Sequence, residues 1–317
     1  MNSYRPRTSI ARAAMDKIRN DQYLEQYDSK QWYQLTNSLP QNFQSKFVAF
    51  VEPDEITLSW LDKAKSLSSN LWLQLWHTLA KTFLNMFMSQ TDVNGMLKRG
   101  SMFILSEIQF QKLLTAGGFD LSKFLTPQNP NVIDILDIGA GDGEITANIL
   151  SSVISLSVKQ GVSHIQPRVF TTESSFTMRS RLKDMKFNVV EEIKQVSMVP
   201  LIACLNVLDR CIDPHQILQD MFNALAPNGR ILIALVLPYS HYCEFNTSHM
   251  PLRPLMEHWP EKARQFSFEA ETVVFFEMLE RMGFKVESWT KAPYLCEGDL
   301  HQSFYWLVDL VVVLSKQ

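Results

Sequence analysis

The stretch Val132-Ile-Asp-Ile-Leu-Asp-Ile-Gly-Ala-Gly-Asp-Gly-Glu144 decides the fold. Its first six residues are an apolar run closed by Asp137, the pattern of a buried strand. Glycines at 139, 141 and 143 follow at once, and Glu144–Val158 then reads as a helix. Glycine reaches positive φ without a Cβ clash, so such a loop can turn tightly and let a ligand approach the backbone. A strand that runs through a glycine loop into a helix is the ligand-binding turn of a doubly wound α/β sheet.

The spacing narrows the ligand. A dinucleotide site spaces its glycines G-x-G-x-x-G and leaves the helix N-terminus to a pyrophosphate. Here the spacing is G-x-G-x-G, with Asp137 ahead of the loop and Asp142 and Glu144 in or beside it. Acids there repel a diphosphate and suit a cationic head, such as the ammonium and sulfonium of S-adenosylmethionine. Asp137, Gly139, Gly141, Asp142 and Gly143 are therefore the first cofactor-binding candidates.

Downstream the pattern keeps alternating. Strands are expected at 168–172, 187–190, 201–205, 230–237, 284–289 and 304–314, and helices at 175–185, 214–225 and 269–282. Such alternation implies right-handed βαβ units in a mainly parallel sheet. Residues 239–268 are too long for an ordinary connection and are expected to form a cap or binding loop. Upstream of residue 130 the pattern is helical, at about 24–36, 55–66, 69–89 and 106–116. The expected organisation is an N-terminal tail at 1–40 whose first 15 residues are basic and expected to be disordered, a helical extension at 41–128 packed on the core, and a Rossmann-like domain at 129–317. Trp72, Leu75, Trp76, Leu79, Phe83, Met86 and Phe87 recur at helical spacing, which reads as core packing in preference to membrane-surface binding.

Composition excludes several classes. With 30 Lys+Arg against 33 Asp+Glu, nothing favours nucleic acid as a partner. Cys204, Cys211, Cys243 and Cys296 form no CxxC pair, so no metal site and no disulfide framework are expected. The most apolar stretch is interrupted by Gln74, His77, Lys81 and Asn85, so no transmembrane segment is expected. Arg5, Arg7 and Arg12 faintly resemble a mitochondrial presequence, and Asn246-Thr247-Ser248 is a glycosylation sequon only for a secreted chain. An intracellular monomer, cytoplasmic by default, is the expectation.

Further site candidates follow from the sheet. Glu173 ends the second strand, where an acid accepts from ribose hydroxyls. Glu191 and Glu192, after the third, are either adenine contacts or solvated charge. Asn206 and Asp209 follow the fourth strand and fall beside the cofactor. If the last strand is antiparallel, the preceding stretch 292–299 overhangs the site, which brings Tyr294 and Tyr305 to its rim.

Several blocks together resemble one family. LDIGAGDGE (136–144), CLNVLDRC (204–211), ALVLP (234–238), PYLCEGD (293–299) and, upstream, TDVNGMLKRGSMF (91–103) resemble the DREV-type methyltransferases, the protein-histidine N-pros-methyltransferases. The resemblance runs from about residue 45 to the C-terminus. It implies a class I methyltransferase sheet of seven strands with the last antiparallel, and S-adenosylmethionine as cofactor. It further implies methylation of the N-pros (Nδ1) nitrogen of histidine in His-x-His motifs of protein substrates. By position, Glu173 would bind the ribose, Asn206 and Tyr294 would line the cofactor site, and Arg99 would pair with the cofactor carboxylate. Asn206, Asp209 and Tyr305 would hold the target imidazole. The resemblance also allows endoplasmic-reticulum or mitochondrial association. The alternatives are a methyltransferase for a small molecule or arginine, and a silent cofactor-binding scaffold. An arginine enzyme usually clamps the guanidinium between two acids, whereas CLNVLDRC offers one acid beside an Asn.

Overall fold

The structure, a computed structural model, describes residues 9–84, 89–97, 99–125, 131–162, 164–243, 248–259 and 266–317. Its helices are α1 (Ser9–Gln26), α2 (Gln41–Gln44), α3 (Glu55–Ser69), α4 (Leu71–Leu84), α5 (Gln90–Leu97), α6 (Glu107–Ala116), α7 (Glu144–Lys159), α8 (Phe176–Asp184), α9 (Pro214–Ala224) and α10 (Phe268–Arg281). The strands are β1 (Met102–Phe103), β2 (Val132–Ile138), β3 (Gln166–Thr172), β4 (Asn188–Val189), β5 (Val199–Leu205), β6 (Leu225–Val236), β7 (Phe284–Glu297) and β8 (Phe304–Lys316).

Among the described residues, eight strands form one sheet in the order β1-β7-β8-β6-β5-β2-β3-β4. The pairs β2–β3, β2–β5, β3–β4 and β5–β6 are parallel, and β8 runs antiparallel to both β6 and β7. This is the class I methyltransferase sheet, with one strand more than the seven expected. The extra strand is β1, whose Met102 and Phe103 pair antiparallel with Cys296 and Leu295. Two residues are too short for a periodicity signal.

Period-2 alternation builds two cores, one on each face of the sheet. Ile133, Ile135, Leu201, Ala203, Leu232, Ala234, Val311 and Val313 face the layer of α6 and α7. Leu136, Ile138, Ile202, Cys204, Ile231, Ile233, Val312 and Leu314 face the layer of α9 and α10. Each fully buried Ile, Leu or Val contributes about 1.5–3 kcal/mol of transfer free energy. Caps set the helix starts. Asp54 accepts from Thr57 N at 2.9 Å, Ser106 closes a capping box with Gln109, and Asp213 precedes Pro214 at the first turn of α9.

The N-terminal region departs most from the sequence reading. Residues 9–26, within the expected tail, form α1, and the helix expected at 24–36 is replaced by a 3-10 turn, Ser29–Trp32. Asp28 causes the break, because its carboxylate accepts from Lys30 N and caps the new turn. Trp32 then stacks beside Trp306, with ring centroids 5.9 Å apart, and Lys17 donates to Ser303 Oγ at 2.8 Å. Those contacts are long-range, so no local pattern announces them.

Helix α4 corrects another expectation. Trp72 (83%), Trp76 (62%), Leu79 (69%) and Phe83 (61%) are exposed, while Gln74 (2%) is buried and donates to Leu67 O. The helix therefore presents its apolar stripe outward. Met86 and Phe87 lie outside the described residues. Among the described residues, no helix is long and apolar enough to cross a membrane.

Two stretches expected as loops are more ordered. Most of 292–299 belongs to β7, with Tyr294 opposite Leu307 and Glu297 opposite Phe304. Pro293 is accommodated because β1 pairs only with residues 295 and 296, so no ladder bond on that edge needs its missing N–H. In the 239–268 insertion, Tyr239, Cys243, Leu255 and Met256 are buried in or against the core. Glu271 anchors the insertion, accepting from Tyr239 N at 2.5 Å and pairing with His258 at 3.1 Å. The sequon residues Asn246 and Thr247 lie outside the described residues.

Candidate functional site

The glycine loop leaves β2 with Gly139, Gly141 and Gly143 all at positive φ, +68°, +57° and +83°. Their surroundings differ. A Cβ on Gly139 would meet Val207 Cγ2 at 2.5 Å, and one on Gly143 would meet Met185 Sδ at 2.8 Å. A Cβ on Gly141 would find nothing nearer than Met102 Cε at 3.8 Å. Gly139 and Gly143 thus serve packing, whereas Gly141 fronts a cleft. That cleft is lined by Met102, Ile104, Asp137, Gly139, Ala140, Gly141, Asp142, Ile145, Leu205 and Tyr294.

Acids surround it. Asp137 is buried and accepts from Thr146 Oγ1 at 2.5 Å; burial pushes its carboxyl up to about 7, the Thr146 bond opposes the rise, and Glu173 adds to it. Burial also raises Asp142, which accepts from Glu144 N at 3.0 Å. Glu173 accepts from Gly141 N at 2.9 Å and from Ser175 N at 2.8 Å, so the acid that ends β3 holds the loop crest. A carboxylate has about four lone-pair sites, so Glu173 retains capacity for a diol. Glu191 and Glu192 are both exposed. The acid-lined cleft and the Gly141 opening fit S-adenosylmethionine. Asp137, Asp142 and Glu173 are the groups that would meet its cationic and hydroxyl parts.

Asn206 and Asp209 follow β5; they do not line that cleft and adjoin it through Val207. Asn206 sits at φ +55°, a left-handed conformation that Asn tolerates better than most residues. Its N–H donates to Ala234 O at 2.9 Å, and its Nδ2 donates to Asp309 Oδ2 at 2.8 Å. The turn that follows carries Asp209, whose backbone oxygen accepts from Tyr242 N at 2.9 Å. Val207 of this turn is the residue packed on Gly139, and that contact joins the two halves.

Asn206, Asp209 and Asp309 are all buried, at 5%, 6% and 0% exposure. Among the described residues, Asn206 Oδ1, Asp209 Oδ1 and Asp309 Oδ1 have no hydrogen-bond partner. Leaving a buried acceptor unsatisfied costs about 1–3 kcal/mol, and native proteins carry few such atoms. Asp209 Oδ2 lies 3.6 Å from Arg210 Nε, and the Arg210 guanidinium carbon lies 5.7 Å from the centre of the Tyr294 ring. Burial drives the Asp309 carboxyl well above its ordinary value; the Asn206 bond opposes this and Asp209 reinforces it. Sequence reasoning missed Asp309. Its one signal was an isolated acid inside the apolar run Leu307–Leu314.

The remaining candidates lie elsewhere or are otherwise engaged. Tyr294 lines the cleft and donates to Met102 Sδ at 2.6 Å, so Met102, also missed, roofs the loop. Tyr305 is 38% exposed and donates to Asp299 Oδ1 at 2.9 Å. It precedes Asp309 by four residues on β8, about 13 Å at the usual strand rise. Arg99 is held by the C-terminal hairpin, with Nε 3.0 Å from Glu297 Oε1 and NH2 donating to Gly298 O at 3.0 Å. It does not line the cleft. Glu297 Oε2 also accepts from Gly100 N at 2.8 Å, so this pair clamps the segment before β1 onto the end of β7. All four cysteines are free. Among the described residues, no group of three or more His, Cys, Asp or Glu side chains could hold a metal ion.

Among solved structures, the chain is similar to a TehB-like SAM-dependent methyltransferase from Corynebacterium glutamicum, with 20% identity and a TM-score of 0.35 over 66% of this chain and 96% of that one. It is also similar to a SAM-dependent methyltransferase from Thiobacillus denitrificans in complex with S-adenosyl-L-homocysteine, with 12% identity and a TM-score of 0.36 over 66% and 90%. A SAM-dependent methyltransferase from Geobacter sulfurreducens, in complex with the same compound, gives 13% and 0.35 over 67% and 93%. The family model for DREV methyltransferases matches residues 32–316. The chain belongs to the DREV methyltransferase family.

Proposed function

We propose that this chain is a protein methyltransferase that modifies the N-pros (Nδ1) nitrogen of histidine in His-x-His motifs. The observation that carries the reading is the cluster of buried acceptors without donors, Asn206 Oδ1, Asp209 Oδ1 and Asp309 Oδ1, beside the glycine loop. Such a wall suits an acceptor substrate that brings an N–H and becomes positively charged as it reacts. Neutral imidazole does both, and with an ordinary pKa of about 6.5 it is a nucleophile at neutral pH.

Bound S-adenosylmethionine supplies a methyl group activated on a sulfonium. The chain's own task is then to select a tautomer and align it. Asp209 accepts the Nε2–H, which leaves the lone pair on Nδ1 to take the methyl group that the cofactor would release from its sulfonium. The imidazolium that results keeps its Nε2–H on Asp209, so the same carboxylate stabilises the developing charge. The proton passes to solvent when the product leaves. Asn206 holds the ring plane, and Tyr305, at the rim with Asp299, guides the peptide into the site. Glu173, Asp137 and the loop glycines hold the cofactor, with Tyr294 against it.

An arginine acceptor would need a second acid for its guanidinium. Asp309 is that acid by position, yet Asn206 occupies its Oδ2. The two acids therefore do not act as a carboxylate pair.

The test incubates the purified chain with labelled S-adenosylmethionine and the peptide Ala-His-Ala-His, then locates the methyl by mass spectrometry. Methyl on the pros nitrogen, absent from the His→Ala peptides, is the expected result. Cofactor binding without peptide methylation would assign the chain another acceptor.

A further inference from the structure

Asn206 is ambivalent by chemistry, because a carboxamide offers an oxygen that accepts and a nitrogen that donates. If the amide turned over, it would present N–H groups to the substrate and repel the N–H of an imidazole. Resting on the histidine reading above, we infer that Asp309 is a positioning residue that locks the Asn206 carboxamide with its oxygen toward the substrate.

The geometry supports this in three ways. Asn206 Nδ2 donates to Asp309 Oδ2 at 2.8 Å, so the nitrogen is committed to β8 and Oδ1 is left without a donor. Asp309 cannot turn away, because it is fully buried in the β6–β8–β7 ladder, opposite Val236 and Ala292. The backbone of Asn206 is fixed as well, by its bond to Ala234 O and its left-handed φ. An acid in the middle of an apolar strand costs stability. The lock is what that cost secures: an acceptor face that complements positive charge appearing on the ring.

Asp309 acts through Asn206 and needs no contact with substrate, which gives it a signature. Asp309→Leu keeps the volume, removes the acceptor and leaves the carboxamide free to turn over. In the swap N206D/D309N no lock is needed, because both oxygens of the acid at 206 accept and one faces the substrate whichever way the group turns. Both changes are nearly isosteric, so folding is retained. The expected result is a fall in kcat of about tenfold or more for Asp309→Leu, largely recovered in the swap. A swap no better than Asp309→Leu overturns the lock.

A second readout needs no turnover. In protein labelled with 15N-asparagine, the Asn206 side-chain amide proton bound to Asp309 should resonate downfield and return upfield in Asp309→Leu. An unchanged shift overturns the lock even if the peptide is methylated. If wild type binds the cofactor but leaves the peptide unmodified, the histidine reading falls, and the shift alone decides the lock.

Discussion

The two halves of the site differ in how far their polar groups are satisfied. Around the glycine loop every acid has a partner within the chain. Asp137 is held by Thr146, Asp142 by the Glu144 N–H, and Glu173 by the Gly141 and Ser175 N–H groups. At the ends of β5 and β8, three buried acceptors have none among the described residues. The first half is a finished scaffold that a cofactor joins. The second leaves three acceptors for a ligand to meet, and under the proposed function that is where the acceptor substrate is recognised.

Mutations should separate the halves. The largest effect is expected from Asp209→Ala, which removes the group proposed to select the tautomer. Turnover of the His-x-His peptide should fall by about 10²–10⁴-fold, with S-adenosylmethionine affinity measured calorimetrically almost unchanged. Normal turnover would erase the distinction between the halves. Gly139→Ala strikes the contact that joins them, since its Cβ would lie 2.5 Å from Val207 Cγ2 at a φ of +68°. A loss of about 1–3 kcal/mol in thermal unfolding and weaker cofactor binding should appear together. A variant that melts like wild type and binds normally would show the halves to be independent.

Cofactor binding should depend on pH through Asp137. The folded-state pKa of Asp137, about 7, is raised above its unfolded value, so its protonated form favours the fold and that contribution is lost as pH rises through 7. A cationic ligand prefers the ionised form. Affinity for S-adenosylmethionine should therefore increase by up to about tenfold between pH 6 and 8, with proton release on binding, and Asp137→Asn should flatten the profile. A flat wild-type profile would reject this role for Asp137. The smallest effect is expected from Tyr305→Phe, which removes a rim bond to Asp299. KM for the peptide should rise about fivefold with kcat little changed. A hundredfold fall in kcat would instead bring Tyr305 into the reacting group.

Much of this was legible in the sequence, for reasons that differ by element. The glycine loop was readable because three glycines at fixed offsets report φ directly, and all three sit at positive φ. The strands from β2 to β6 were readable because each is short and apolar with helical segments between. The tail at 1–40 was misread because Trp32 and Lys17 find their partners, Trp306 and Ser303, more than 270 residues away. The stripe on α4 misled in the opposite sense, since periodicity reports that a helix has an apolar face and not which way the face points.

The sequence by itself determined the doubly wound sheet and the acid–glycine loop, because those rest on local backbone geometry and on charge within a few residues. Only the tertiary structure decided what Asp309, Arg99 and Met102 do. Asp309 meets Asn206 because β8 returns antiparallel beside β6, Arg99 is clamped by the β7–β8 hairpin, and Met102 roofs the loop through β1. Each of these is a contact between strands distant in the chain, fixed by sheet register, and register is not written in any one segment.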